Sequence, residues 1–361
     1  MSLISPRLEV DLGKIRHNTR VIVGTCKPYG IEVIGVTKGV SAMPQVGKAM
    51  LECGAVGLAD ARIRNIDKLR AAGIDAKIML LRLPRISHAA AIAEKTDCSL
   101  NSEFRTIRRL TEESQRLGRQ HGIILMIDVG DLREGIMYTH ALRGIKRILS
   151  SKHIHLLGIG TNVGCYGGVL PTEKNMGMLA DIAQDIRKRF SIPLPVVSVG
   201  GTNCLPLIQS GHMPPQINQI RIGEGILLGR NSCYNTILNN TYQDAFTLSA
   251  EIVEIKDKPS RPIGSIGKDA FGNKPSFKNR GVRRRALIAL GKQDVRLSGL
   301  IPADKSIKIV GGSSDYFILD ISDCEKEYNL GDEIAFHLLY PGLLSVSSSP
   351  YVTQAFKEDA L

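Results

Sequence analysis

The run "IEVIGVTK", residues 31–38, is apolar apart from Glu32 and Thr37 until it ends in a lysine, Lys38. A lone ammonium at the end of a buried strand is costly unless it is paired or used. A primary amine held there suits covalent capture of a carbonyl. Other apolar runs also end in polar groups: Asp60, Arg82, Asn101, Asp128 followed by Arg133, then Thr161 with Asn162. The last two end in glycine-rich turns. "VGGTN" carries Gly200, Gly201 and Thr202, and "RIGEG" carries Arg221, Gly223, Glu224 and Gly225. Bare backbone and one hydroxyl can approach a phosphate closely. An amine together with a phosphate cradle predicts a phosphorylated aldehyde cofactor, pyridoxal 5'-phosphate. Polar residues also favour the starts of solvent-facing loops, so strand ends alone do not decide the matter.

The elements that must position these groups follow from periodicity. Eight apolar runs lie between residues 30 and 230: "IEVIGVTK", "GAVGLAD", "KIMLLRL", "CSLNS", "GIILMIDVG", "IHLLGIGTN", "LPVVSVGG" and "QIRIGEGILLG". Helical segments such as "NMGMLADIAQDIRKRF" separate them. Continuous apolar strands alternating with helices imply a parallel sheet covered on both faces. Eight β/α units close a TIM barrel, whose chemistry lies at the C-terminal strand ends. A doubly wound open sheet is the alternative, but no G-x-G-x-x-G opens the first unit. After Arg230 helical periodicity fades, and short strands such as "RALIALG", "YFILDIS" and "DEIAFHLLY" alternate with turns. The expectation is α/β: a (β/α)8 barrel over residues 12–234 and an all-β domain over 235–361, joined by a strand within 1–11.

The chain has 361 residues, 43% hydrophobic and 23% charged, which is ordinary globular usage. No apolar run reaches the roughly 18 residues of a membrane span, and the N-terminus lacks the pattern of a secretory signal. A cytoplasmic location is expected. Seven scattered cysteines form no C-x-x-C pair, so a structural metal site is not expected, and most are read as small buried apolar groups. The net charge of +12 could suggest nucleic acid. The positive residues are spread along helices, the one dense cluster is "KNRGVRRR", and aromatic residues make up only 5%, so stacking platforms are scarce.

Together these residues resemble the alanine racemase-like, fold-type III pyridoxal-phosphate enzymes, and within them the ornithine racemases. The likeness runs over nearly the whole chain and includes "VDLGKIRHN", "GVTKGV", "LADARIRNIDKL", "LNSEFRT", "GTNVGCYGGVLP", "RIGEGILLGR" and "GGSSDYFILD". Its specific motifs are "DVGDLREG" and "DAFGNKPSF". The resemblance implies a head-to-tail homodimer in which each β domain completes the neighbour's site. By the same resemblance, Lys38 matches the Schiff-base lysine and one of two proton-transfer bases. Arg221 matches the arginine facing the pyridine nitrogen, and Arg133 the one near the phenolic oxygen. Gly201, Thr202, Gly223 and Gly225 match the phosphate cradle, with Tyr340 of the β domain reaching it.

There are departures. Asn162 stands where alanine racemases have a histidine, so no imidazole supports Arg221. Glu224 is an additional acid, expected to pair with Arg221; if it faced the ring nitrogen instead, a decarboxylase would be favoured. Racemisation removes a proton from one face and returns one to the other, yet Ile266 falls where the family has its second base, a tyrosine. Asp269 is the first substitute, unless it only orders its glycine-rich turn. Cys165 and Tyr166 come next, and Tyr166 is also a candidate substrate contact. A basic substrate needs an acid for its distal ammonium, and Asp315 and Asp60 are the candidates. The implied activity is racemisation of ornithine or a similar basic amino acid. The alternatives are a racemase of broader specificity (lysine, arginine, alanine), a decarboxylase and a non-catalytic cofactor carrier.

Overall fold

The structure, a computed structural model, describes residues 5–358, apart from the side chains at 143, 144 and 147. It divides into two compact units, Leu12–Gln243 and Met1–Asp11 with Asp244–Leu361. The chain opens with strand β1, Arg7–Asp11, of the second unit. The first unit then alternates strand and helix. Its helices are α1 (Leu12–Cys26), α2 (Pro44–Glu52), α3 (Ile63–Ala71), α4 (Ala89–Lys95), α5 (Phe104–Arg116), α6 (Ala141–Leu149), α7 (Glu173–Phe190), α8 (Leu205–Gln209) and α9 (Glu224–Leu228). Its main strands are β2 (Glu32–Val36), β3 (Gly57–Asp60), β4 (Ile78–Leu80), β5 (Cys98–Asn101), β6 (His121–Asp128), β7 (Ile154–Asn162), β8 (Val196–Gly200) and β9 (Gln219–Ile222).

These eight strands pair in parallel in the order β5-β4-β3-β2-β9-β8-β7-β6, and the additional β5–β6 pairing closes the ring. The (β/α)8 barrel expected from the eight apolar runs is therefore present. Strand alternation decides what fills it. Ile34, Val36, Ala59, Met79, Cys98, Leu100, Ile124 and Met126, alternate residues of five neighbouring strands, pack as one buried cluster inside the ring. Truncating one of the larger members to alanine costs about 2–5 kcal/mol. The outer helices are set by local signals. α7 begins with a capping box: Thr172 Oγ1 accepts from the Asn175 N–H at 3.2 Å, and Asn175 Oδ1 accepts from the Thr172 N–H at 2.7 Å. Arg187, Lys188 and Arg189 in its last turn oppose the helix dipole.

The second unit is an eight-stranded sheet. After β1 it uses β10 (Phe246–Pro259), β11 (Val282–Ile288), β12 (Leu300–Pro302), β13 (Lys308–Gly312), β14 (Phe317–Asp320), β15 (Glu333–Leu338) and β16 (Thr353–Lys357), with helix α10 over Tyr340–Val346. The path is β12-β15-β10-β11-β14-β13, antiparallel throughout, and β1 joins β10 antiparallel and β16 in parallel. Alternate residues such as Leu248, Ala286, Phe317, Leu319 and Phe336 are buried, and Arg7, Glu9, Glu333 and Lys357 form an ion network across β1, β15 and β16. No helix among the described residues is long and apolar enough to cross a membrane.

Candidate active site

Lys38 follows β2 in a single 3₁₀ turn, Lys38–Val40. The turn is fixed on both sides. The Val40 and Ala42 N–H groups donate to the Thr37 carbonyl at 3.1 Å, and Ser41 and Ala42 both adopt left-handed backbone (φ 47° and 54°). Non-glycine residues in that region store strain, which is concentrated at functional sites. The far end of the lysine reaches solvent, yet crowding protein pushes its pKa down, with burial the first cause. The next influence is the Cys165 sulfur, which raises it, followed by Arg133, Asp60 and Glu134.

Asp60 shares Lys38's neighbourhood but points the other way. It is fully buried and accepts from Thr37 Oγ1 (2.9 Å), Asn65 Nδ2 (2.9 Å) and the Arg62 N–H (3.0 Å). Val36 lies inside the ring, so Thr37, one residue on, faces the helices, and Asp60 meets it there together with Asn65 of α3. The expectation that Asp60 holds a substrate ammonium is corrected: alternation puts its carboxylate behind the sheet, where it anchors the Lys38 turn.

Arg221 on β9 is buried inside the ring. Its Nη1 donates to Ser198 Oγ at 2.5 Å and its Nη2 to the Thr161 carbonyl at 2.8 Å. Ser198 in turn donates to Gln219 Oε1 at 2.9 Å. Burial pulls the guanidinium down to about 10, so it remains charged at neutral pH. Asn162 lies beside it: a Cβ on Gly200 would come 2.0 Å from Asn162 Oδ1 and 2.7 Å from Arg221 Nη2. The expected Arg221–Glu224 pair is not formed. Gly223 turns the chain between them, and the Glu224 carboxylate instead accepts from the Ser232 hydroxyl and from its N–H at 3.2 Å. Its pKa is raised, first by burial.

The glycine turns converge. Gly201 starts the 3₁₀ turn Thr202–Cys204, and Thr202 Oγ1 accepts from the Gly225 N–H in the first turn of α9 at 2.9 Å. Gly223, the N-cap of α9, packs so closely on the Lys38 strand that a Cβ would come 3.2 Å from Val36. Two short helix starts therefore meet at the barrel mouth next to the strand that carries Lys38. That arrangement fits an anion, and with the amine beside it the donor set fits a phosphorylated aldehyde.

Arg133 is presented by a loop folded under Asp128, whose Oδ1 accepts from the Gly130 (2.8 Å) and Leu132 (3.2 Å) N–H groups. Its guanidinium pairs with Glu134, with Nη2 to Oε1 at 2.6 Å, and donates from Nη1 to Cys165 Sγ at 3.0 Å. The loop after β7 is tied by Asp131, which accepts from the N–H groups of Gly164 (3.2 Å), Tyr166 (3.1 Å) and Val169 (3.3 Å). The Tyr166 side chain is 77% exposed. Of the cysteines, Cys26, Cys53, Cys98 and Cys204 are buried, whereas Cys165 and Cys233 are exposed. No metal-holding cluster occurs among the described residues.

Three expected site residues lie in the second unit. Tyr340 is the first residue of α10 and half-buried. Asp315 is exposed in the turn between β13 and β14 and accepts from the Ser314 hydroxyl at 2.7 Å. Asp269 is turned inward on its own loop. Its Oδ1 accepts from the Phe271 (3.0 Å) and Asn273 (2.8 Å) N–H groups, which, Asn273 first, lower its pKa and make it a weaker base. These bonds are the turn-ordering role that was the alternative reading of Asp269. Ser198, Gln219, Asp131 and Glu134 were not expected at the site. A hydroxyl inside the apolar run "VVSVGG" was the one signal that pointed to any of them.

Comparison with known proteins agrees with this architecture. The model of the alanine racemase N-terminal domain matches residues 10–230. Ornithine racemase of Acetoanaerobium sticklandii is 39% identical over 348 residues, covering 96% of this chain and 98% of that protein. Lysine racemase of Thermotoga maritima is 38% identical over 355 residues, covering 98% and 99%. Among solved structures, alanine racemase from a Streptomyces lavendulae that produces D-cycloserine superposes with a TM-score of 0.76 at 16% identity, covering 99% of both chains. The Bacillus anthracis alanine racemase, with bound L-Ala-P, gives 0.76 at 18%, covering 100% and 97%. By the extent of the family match and the near end-to-end identity to two racemases, the chain belongs to the alanine racemase family.

Proposed function

We propose that the protein is a pyridoxal-phosphate-dependent racemase of ornithine, with lysine as the nearest alternative. One observation carries the reading: the Lys38 amine, its pKa lowered by burial, stands in the turn that follows β2, the strand on which Gly223 packs beside the Thr202–Gly225 junction. When bound, the cofactor supplies an aldehyde and an electron-withdrawing ring that acidifies a substrate Cα–H. Lys38 holds the cofactor carbonyl and, in turnover, takes or returns the α-proton on its own face. Gly201, Thr202, Gly223 and Gly225 hold the phosphate, with Tyr340 as a further candidate from the β domain. Arg221, charged and buried, would face the ring nitrogen. An arginine does not give up its proton, so it would leave that nitrogen unprotonated, which favours proton return over side reactions. Asn162 flanks it, and Arg133 orients the phenolic side. The choice of substrate follows the ornithine and lysine racemases among the relatives, and Asp315 is the acid proposed for the distal ammonium. A cytoplasmic head-to-tail homodimer completes the proposal.

A decarboxylase would need an acid at the ring nitrogen, and Glu224 is held by Ser232 instead. The deciding experiment incubates the protein and cofactor with L- and D-ornithine, lysine, arginine and alanine, following chirality by derivatised chromatography. Interconversion fastest with ornithine is expected. Diamine release, or no interconversion of any of these, would overturn the reading.

A further inference from the structure

A racemase needs a proton carrier on each face of the α-carbon, and Lys38 supplies only one. Ile266 has no proton to give, and the Asp269 carboxylate is engaged by its own turn. Within the barrel unit, four chemically active groups meet at the mouth: Lys38, Arg133, Glu134 and Cys165. We propose that Cys165 is the second proton-transfer residue, acting on the α-carbon from the face opposite Lys38. The inference rests on the racemase reading above.

Three observations support it. The Arg133 guanidinium donates to Cys165 Sγ at 3.0 Å, which fixes where the sulfur points at the barrel mouth. The Cys165 loop is held on both sides, since Asp131 accepts from the N–H groups of Gly164, Tyr166 and Val169. Proton transfer demands such fixed placement. Finally, the Cys165 sulfur lies near enough to Lys38 to act on its ammonium, as do Arg133, Asp60 and Glu134. The two groups come from loops after different strands, β2 and β7, yet each lies within the other's electrostatic reach. Cys233, the other exposed thiol, is turned aside and donates to the Gly164 carbonyl at 2.8 Å.

The step balances. In one direction the Lys38 amine takes the α-proton, breaking the Cα–H bond, and the Cys165 thiol gives its proton to the same carbon on the other face, leaving a thiolate. In the other direction the thiolate takes the proton and the Lys38 ammonium returns one. Exchange with water resets the pair.

The test uses the full chain. Cys165→Ser and Cys165→Ala are loaded with cofactor and incubated in deuterium oxide with each ornithine enantiomer separately. Racemisation should fall by about 100-fold or more, and α-proton exchange should persist from one enantiomer and disappear from the other. A second readout needs no turnover. Iodoacetamide labelling followed by peptide mass spectrometry should modify Cys165 about tenfold faster than Cys233, and Arg133→Met should slow it. Cofactor-loaded Cys165→Ser that exchanges both enantiomers at the wild-type rate overturns the assignment, as does labelling of Cys165 no faster than Cys233. Wild-type protein that exchanges neither enantiomer of any amino acid overturns the racemase reading itself, and the inference with it.

Discussion

The Arg221 guanidinium occupies the space that a side chain at residue 200 would fill, for a Cβ on Gly200 would lie 2.7 Å from Nη2. The same Cβ would lie 2.0 Å from Asn162 Oδ1, so Gly200 makes room for both polar groups at once. Gly200→Ala is expected to displace them. Activity should fall at least about tenfold, from misplacement of a group next to the chemistry, while circular dichroism stays native. Unchanged kcat/KM in Gly200→Ala would show that the contact is not needed.

Arg221 depends on Ser198, which accepts from Nη1 at 2.5 Å and passes the bond on to Gln219. Ser198→Ala leaves a buried charged donor short of a partner, which costs about 1–3 kcal/mol. Urea denaturation of the cofactor-free protein should show that loss. Ser198→Thr, which keeps the hydroxyl, should recover part of it.

Lys38→Ala should remove the visible absorbance band of the bound cofactor and abolish turnover. The side chain reaches solvent, so the melting temperature of the cofactor-free protein should change little. A persistent band would place the covalent attachment elsewhere.

Asp131→Ala frees the amides of Gly164, Tyr166 and Val169 from their acceptor. Hydrogen exchange should speed up at those three amides, with the barrel strands unaffected. Exchange unchanged across residues 163–170 would mean that the loop is held by other contacts.

His121 gives the barrel an acid-sensitive point. Burial pulls its pKa down from 6.5 to about 4, and its Nε2 lies 2.8 Å from Ser99 Oγ. The fold favours neutral imidazole, whereas the unfolded chain binds the proton at its ordinary pKa. The contribution is therefore complete above pH 6.5 and is lost as pH falls toward 4, about 3 kcal/mol over that window. Urea midpoints measured from pH 7 to 4 should fall less steeply in His121→Gln than in the wild type. Equal slopes would assign the acid sensitivity to other groups.

The barrel was legible because burial on both faces leaves a direct trace: eight continuous apolar runs, each followed by a helix. The polar ends of those runs were equally visible, and Lys38, Arg133, Asn162, Thr202 and Arg221 do belong to one unit and its mouth. Direction was harder to read. Asp60 and Lys38 look alike as strand-end residues, but β-strand alternation sends them to opposite sides of the sheet. Glu224 is three residues from Arg221, a spacing that suggests contact, yet Gly223 ends the strand and turns the acid toward Ser232.

By itself, the sequence determined the alternation of elements, the lysine at the end of an apolar strand and the glycines at the last two strand ends. These are local properties, set by periodicity and by which side chains are missing. Only the tertiary structure decided which residues serve Arg221 and which thiol lies within the field of Lys38. Parallel pairing of neighbouring strands brings Ser198 onto Arg221 and the loop after β7 onto Arg133, across separations of 23 and 32 residues that no local pattern encodes.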